Sequence, residues 1–221
     1  MRPSAAKKIV ARLALVTGVG TAAIGVLHAP FARSLLAKIG GCPVGKASAE
    51  DVERARRAAV ASLRGDAPAP SRTALGFTLA QATVADVDRW AHERSIACAK
   101  KREDLLVVCT GVPSAEGAVD EATFAFRPSD GRLVNVTAMT FALGPDEAAV
   151  RMRASTDALR ATLGEPARAF GDAAPARFAQ GGFATSTTRW RFRDLAAEVT
   201  ATSFDGRVVL REHWVTIEDD S

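Results

Sequence analysis

The sequence predicts an α+β fold, with an N-terminal membrane helix followed by two tandem units that each contain one helix and a three-stranded antiparallel sheet. Three observations predict this arrangement. An uncharged run, LALVTGVGTAAIGVL, lies near the N-terminus. Helix-start and helix-stop signals frame amphipathic segments further along the chain. Strand-like runs follow each such segment, and the phrase DGRLV at 130–134 returns as DGRVV at 205–209, which indicates an internal duplication.

Size and charge limit the possible classes of function. The chain has 221 residues, of which 48% are hydrophobic, so it can bury a core. Seven of its 29 basic residues and none of its 25 acidic residues lie in 1–47, which leaves 22 basic against 25 acidic residues in the rest, a net charge of −3. Proteins that bind nucleic acid carry positive charge on the folded face that meets the phosphates. The sequence therefore indicates no nucleic-acid partner.

The N-terminal segment 1–32 reads as a signal anchor. Lys7, Lys8 and Arg12 precede about 20 residues without a Lys, Arg, Asp or Glu side chain, enough for a helix to cover a hydrocarbon core of about 30 Å. We expect the membrane to hold the chain through residues 9–32, with the globular part in the periplasm at the inner membrane. The alternative is an outer-membrane lipoprotein, because the residues before Cys42 (IGG) resemble a lipobox and Cys42 would then carry the lipid.

Residues 33–74 are predicted to be a juxtamembrane connector and a helix. Ser48 and Asp51 form a capping box, and Gly65 stops the helix near Arg64. A Pro/Ala linker, DAPAPSR, follows at 66–72.

The first α+β unit is predicted to span 75–143. Thr83 and Asp86 form its capping box, and apolar residues at helical spacing follow. Strands are predicted at 105–110, 119–127 and 132–142, with a hairpin turn at 129–131.

The second unit is predicted to span 144–221. Its helix, 146–163, places Val150, Met152, Leu159 and Leu163 at apolar positions and ends before Gly164. A poorly defined extended run within 167–184 is followed by strands at 187–193, 197–204 and 207–217, with an AspGly turn before the last strand.

The second unit resembles a known family. Leu163, Gly164 and Pro166 form a break after the helix, Trp190 and Phe192 lie on an aromatic strand, and AspGly at 205–206 makes the last turn. This order is similar to that of the SmpA/OmlA (BamE-type) outer-membrane-assembly lipoproteins. A tandem pair of such units is the architecture of β-lactamase-inhibitor-type proteins. The resemblance implies an envelope protein that binds other proteins without catalysis.

Cysteines and histidines carry little recognisable chemistry. Cys98 and Cys109 flank a short connection and are expected to form a disulfide in an oxidising compartment, although two buried free thiols are the alternative. The sequence has no C-x-x-C motif, and its three histidines are scattered, so it predicts neither a metal site nor a cofactor. His92 and His213 stand in no catalytic motif, and no catalytic residue is predicted.

Basic residues alternate with aromatic residues on the strands of the second unit. Alternation on a strand at 187–193 puts Trp190 and Phe192 on one face and arginines on the other. The basic face predicted from this strand and the last strand contains Arg189, Arg191, Arg193, Arg211 and His213. It is interpreted either as a docking patch for an acidic partner or lipid headgroups, or as an ordinary solvated face balanced by Glu198.

These features favour a binding or scaffolding protein of the cell envelope whose partner is another envelope protein. A periplasmic protein that binds a small ligand or lipid is the first alternative, and a wide apolar cavity between sheet and helices would favour it. An enzyme without a recognisable motif is the second, and a cluster around His92 or His213 with perturbed ionisation would favour that reading.

Overall fold

The structure, a computed structural model, describes residues 48–114 and 117–217. Within these ranges it has four helices and ten strands. The helices are α1 (Ala49–Ala61), α2 (Val84–Glu93), α3 (Pro145–Leu163) and α4 (Pro175–Ala179). The strands are β1 (Thr73–Ala74), β2 (Phe77–Thr78), β3 (Ala97–Lys101), β4 (Leu106–Val112), β5 (Val119–Phe126), β6 (Leu133–Leu143), β7 (Arg168–Phe170), β8 (Phe183–Arg191), β9 (Leu195–Phe204) and β10 (Arg207–Thr216).

Eight of the strands form a single antiparallel sheet in the order β3-β4-β5-β6-β10-β9-β8-β7, while β1 and β2 form a separate hairpin. The predicted fold of two separate three-stranded units is therefore wrong. Each half of the chain contributes four strands, and the last strands of the two halves, β6 and β10, pair at the centre, with Thr137 opposite His213. Pairing these long strands satisfies backbone groups that would otherwise lie at two open sheet edges.

The predictions missed or blurred the outer strands because these strands have no buried face. All five residues of β3 are exposed, so its sequence, ACAKK, shows no alternation of apolar and polar residues. The other edge strand, β7, is three residues long and fully exposed.

Helix boundaries follow the local signals closely. The backbone N–H of Thr83 donates to the Asp86 carboxylate at 2.9 Å, as the predicted capping box requires. Gly164 ends α3 with a positive φ of 82°, a conformation that costs glycine little. One predicted core position is wrong: Val150 of α3 is 58% exposed.

One face of the sheet is covered by α2, α3 and α4. Val87 of α2, Met152 of α3 and Phe178 of α4 belong to one continuous core cluster that includes strand residues from both halves of the chain. Trp190 and Trp214 belong to the same cluster. The Trp190 indole N–H donates to the backbone oxygen of Gly164 at 2.8 Å, which ties β8 to the end of α3.

The opposite face of the sheet, which we call the open face, is covered only at one end by α1 among the described helices. A small cluster of Val60, Ala196, Val215 and Ile217 joins α1 to this end of the sheet. In addition, Arg56 donates from Nη1 to the backbone oxygen of Thr216 at 3.2 Å. The rest of the open face presents alternate side chains of β8, β9, β10 and β6.

A disulfide closes the outermost hairpin of the sheet. Cys98 on β3 and Cys109 on β4 are directly opposite in register, and their sulfur atoms lie 1.99 Å apart. The predicted disulfide is confirmed, although Cys98 lies on a strand and not at the end of a helix.

The prediction of a transmembrane helix and signal anchor needs correction. Across 48–114 and 117–217, the structure contains no helix with the length and apolar character needed to cross a membrane. The segment 9–32 on which the prediction rested lies outside the described residues, and so does Cys42.

Candidate functional site

A row of polar side chains crosses the open face in register. Arg168 on β7 lies opposite Arg189 on β8, which lies opposite Glu198 on β9. Glu198 in turn lies opposite His213 on β10, and His213 opposite Thr137 on β6. Paired residues of an antiparallel ladder point to the same face with their Cβ atoms about 5 Å apart. The row therefore brings residues from distant parts of the chain into contact distance.

Glu198 is the centre of the polar network on this face. Its carboxylate accepts hydrogen bonds from Arg189 Nε at 2.6 Å, from Arg211 Nη2 at 2.6 Å and from the Thr200 hydroxyl at 2.9 Å. Arg189 also donates through Nη2. Only 12% of the Glu198 side chain is exposed. Burial alone would raise the pKa of this carboxyl group, but the hydrogen bonds from Arg189, Thr200 and Arg211 lower it below its usual value.

His213 is neutral in this setting. The pKa of its imidazole is lowered to about 4, chiefly by burial and also by the positive charge of Arg211, against the opposing effect of Glu198. Its Nε2 lies 2.8 Å from Nδ2 of Asn135, whose Oδ1 accepts from the Thr137 hydroxyl at 3.3 Å. Since an amide nitrogen donates, Nε2 of His213 is the acceptor and is not free to take a proton from a substrate.

The other predicted residues of the basic face are placed differently. Arg191 ends β8, and its buried Nε has no hydrogen-bond partner within the described part of the chain. Arg193 lies beyond the end of β8 and is exposed, and its backbone N–H donates to Ala67 at 2.7 Å. The structure thus brings Arg189, Arg211 and His213 together, and places Arg193 outside the strand.

Three exposed phenylalanines lie on the same face, and the sequence reasoning missed them. Phe170, Phe183 and Phe204 are 60%, 73% and 66% exposed. Phe183 and Phe204 are opposite each other in register, and Phe170 lies opposite Thr187. We call these three residues the aromatic patch. The signals available in the sequence were a Phe directly after a GlyGly pair and a Phe directly before an AspGly turn, positions at strand ends where burial is least complete.

A notch and a groove border the sheet. A notch of about 210 Å³ lies between β7 and β8 and is lined by Arg168, Phe170, Thr187 and Arg189. A groove of about 780 Å³ runs along α1 and is lined by charged and apolar side chains of that helix, among them Val60, and by Pro128, Ser129 and Ile217. Neither opens between the sheet and the helices α2 and α3.

The chemistry available on the open face is hydrogen-bond donation and positive charge. In the ranges 48–114 and 117–217, no group of three or more histidine, cysteine or acidic residues is arranged to hold a metal ion. His92 lies on α2, on the other side of the sheet from His213. The face therefore offers guanidinium groups and aromatic rings to a ligand. His213, whose pKa is lowered, accepts a hydrogen bond from Asn135.

No protein-family model matches the chain, and no curated protein or solved structure is significantly similar to it. The resemblance to the SmpA/OmlA lipoproteins and to β-lactamase-inhibitor-type proteins stays a prediction.

Proposed function

We propose that this protein is a non-catalytic binding protein that holds an acidic protein partner on the open face of strands β7, β8, β9 and β10. The observation that carries the proposal is the aromatic patch, because three of the five exposed large hydrophobic residues of the described chain lie on one face. Phe183 and Phe204 lie opposite each other at one end of the β8–β9 pair, and Phe170 lines the notch with Arg189. Phenylalanine and arginine are enriched in the centres of protein interfaces. Exposed apolar side chains that cluster mark interaction sites, whereas scattered ones need no explanation.

Charge indicates the kind of partner. The chain from residue 48 onward is slightly acidic, yet Arg168 shares the open face with Arg189 and Arg211, which both bind the carboxylate of Glu198. An acidic partner would therefore meet a local positive field on a molecule that otherwise repels it, which gives orientation as well as attraction. The confirmed disulfide supports a location in an oxidising compartment, outside the cytosol.

A non-catalytic role is supported by how the open face is arranged. His213 is neutral, and its Nε2 accepts a hydrogen bond from Asn135. A general base needs a free acceptor within reach of the proton it removes. The arginines bind Glu198 in a fixed network, as expected for a preorganised docking surface.

The α1 groove favours a second candidate, the binding of a small ligand. Its volume of about 780 Å³ falls in the range of ligand pockets. However, its charged side chains Arg54 and Arg57 already form ion pairs with Asp51 and Glu53. These pairs compete with a small ligand for the polar groups that would fix its orientation, so this candidate ranks below protein binding.

Site-specific crosslinking tests the protein-binding proposal. A photoreactive phenylalanine analogue is placed at Phe183 in the full-length chain, produced in its own cells, and the crosslinked protein is identified. The matched control carries the analogue at Val150, which is also exposed but lies on α3 behind the sheet. We expect position 183 to capture one acidic protein that position 150 does not capture.

Binding of the captured protein is then measured with purified components. Phe204→Ser is expected to weaken it at least tenfold, because exposed aromatic residues at an interface centre contribute about 2 kcal/mol or more. Val150→Ser should leave it unchanged. Equal capture from both positions, or equal affinity of the Phe204→Ser protein, would remove the proposal.

A further inference from the structure

The notch between β7 and β8 contains two arginines, and one of them has no counter-charge among the described residues. Arg168 and Arg189 are directly opposite in register and both line the cavity of about 210 Å³. Like charges in directly opposed positions of a ladder destabilise a sheet unless a counter-charge compensates them. Arg189 has such a counter-charge in the carboxylate of Glu198, whereas Arg168 has none among the described residues.

Both guanidinium groups keep unused donors in the described part of the chain. Arg189 bonds Glu198 through Nε and Nη2, which leaves Nη1 without a partner. The Arg168 side chain is exposed, and its guanidinium group forms no hydrogen bond or ion pair with any described residue. Thr187 adds a hydroxyl at the wall of the notch, and Phe170 adds an apolar wall. The notch thus has hydrogen-bond donors on several sides and an apolar wall formed by Phe170.

We propose that this notch binds one carboxylate group of the acidic partner, clamped between Arg168 and Arg189. The inference rests on the proposed function for the source of the carboxylate, and on the notch itself for the chemistry. A planar carboxylate matches the fork of a guanidinium group. Glu198 already engages the Nε and Nη2 side of Arg189, and both nitrogen atoms donate to the same carboxylate oxygen, Oε2.

The proposed partner favours a carboxylate over a phosphate. Glu198 lies against Arg189, so any anion in the notch meets its negative charge at short range. A phosphate group with up to two charges meets more of this repulsion, but it gains attraction from Arg168 and Arg189 in the same proportion, so charge does not separate the two anions. A carboxylate is the group that the Asp and Glu side chains of an acidic protein supply.

The position of the notch also fits a partner's side chain. β7 is the edge strand of the sheet, so the notch is reached from the side as well as from the open face. Phe170 belongs both to the notch and to the aromatic patch. A partner surface that covers the patch would therefore bring an Asp or Glu next to it into the notch and exclude water from the contact.

Acetate is the probe for a direct test, in a titration of the ¹⁵N-labelled protein followed by NMR at constant ionic strength. We expect saturable shifts of the Arg189 Nε–Hε signal and of the Thr187 amide. The variant Arg168→Gln should bind acetate about tenfold more weakly, because it loses one charge-assisted pair. The matched control Arg102→Gln changes an exposed arginine at the opposite edge hairpin and should behave like the unchanged protein.

Each outcome has a definite consequence. Shifts that do not saturate, or that are the same in Arg168→Gln, overturn the proposal. A second titration with inorganic phosphate overturns the choice of carboxylate if phosphate saturates the notch and acetate does not. The acetate titration uses no partner, so its failure while Phe183 still captures a protein rejects the notch alone. Saturation by acetate without any specific capture at Phe183 rejects the proposed function and leaves a carboxylate site without its protein source.

Discussion

Folding of this protein should depend on pH through His213. The pKa of this imidazole is about 4 in the folded state, against 6.5 for an ordinary histidine, because it is buried and lies beside Arg211. As the pH falls below 6.5, the His213 imidazole becomes protonated in the unfolded chain, whereas in the folded protein it stays neutral down to about pH 4. The contribution of His213 to the free energy of unfolding is therefore fully present above pH 6.5 and is lost as the pH falls toward 4.

The size of this decline follows from the two pKa values. A difference of about 2.5, at about 1.4 kcal/mol per pKa unit, gives a total of about 3 kcal/mol. About 2 kcal/mol of this loss should fall between pH 7 and pH 5. The lowered pKa of Glu198 acts in a separate window, since the stability that this carboxylate contributes is lost only as pH falls below about 4.5.

Urea unfolding at several values between pH 7 and pH 5, followed by tryptophan fluorescence, measures this slope. The variant His213→Gln removes the titrating group and keeps an acceptor for Asn135. We expect the variant to lose most of the decline in this window. A decline of the same size in His213→Gln as in the unchanged protein would refute the reasoning, because some other group would then be responsible.

Two further predictions concern stability. Replacement of Cys98 and Cys109 by alanine should lower the free energy of unfolding by about 3 kcal/mol, since the disulfide closes a loop with a sequence separation of 11. Dithiothreitol should lower the stability of the unchanged protein and leave that of the variant unaltered. An equal effect of dithiothreitol on both proteins would contradict this prediction. Trp190→Phe should cost about 2–3 kcal/mol, because it leaves the Gly164 carbonyl without its donor and opens a void. Trp214→Phe is the matched control, because the buried Nε1 of Trp214 has no hydrogen-bond partner among the described residues. In denaturant unfolding it should lower the free energy of unfolding by about 1 kcal/mol less than Trp190→Phe does. Equal losses in the two variants would show that the hydrogen bond of Trp190 contributes little.

Helices and inner strands were predictable because their signals are local. The capping pair Thr83 and Asp86 and the glycine after Leu163 fix the helix limits within a few residues. The turn at Asp205 and Gly206 requires positive φ angles, which are 48° and 76°. Alternation also placed Trp190 in the core and Arg189 on the opposite face.

Sheet assembly was not predictable from the same signals. The pairing of β6 with β10 joins residues about 75 positions apart, and no local pattern specifies which edge strand a long strand will meet. The same limit applies to the site. Alternation predicted that Arg193 would share the basic face, but β8 ends at Arg191, and the aromatic patch went unnoticed because Phe183 and Phe204 look like core residues in a hydrophobicity pattern.

The sequence by itself determined the limits of α2 and α3, the apolar sides of the inner strands, and that Cys98 and Cys109 lie close enough to bond, whereas the edge strands β3 and β7 and the short helix α4 showed no clear pattern. Those properties depend on the backbone preferences and spacing of residues near one another in the chain. Only the tertiary structure decided that the two halves share one sheet, that Glu198 draws Arg189 and Arg211 together, and that three phenylalanines remain exposed on one face. These depend on strand order and register, which are set by the free energy of the whole assembled sheet.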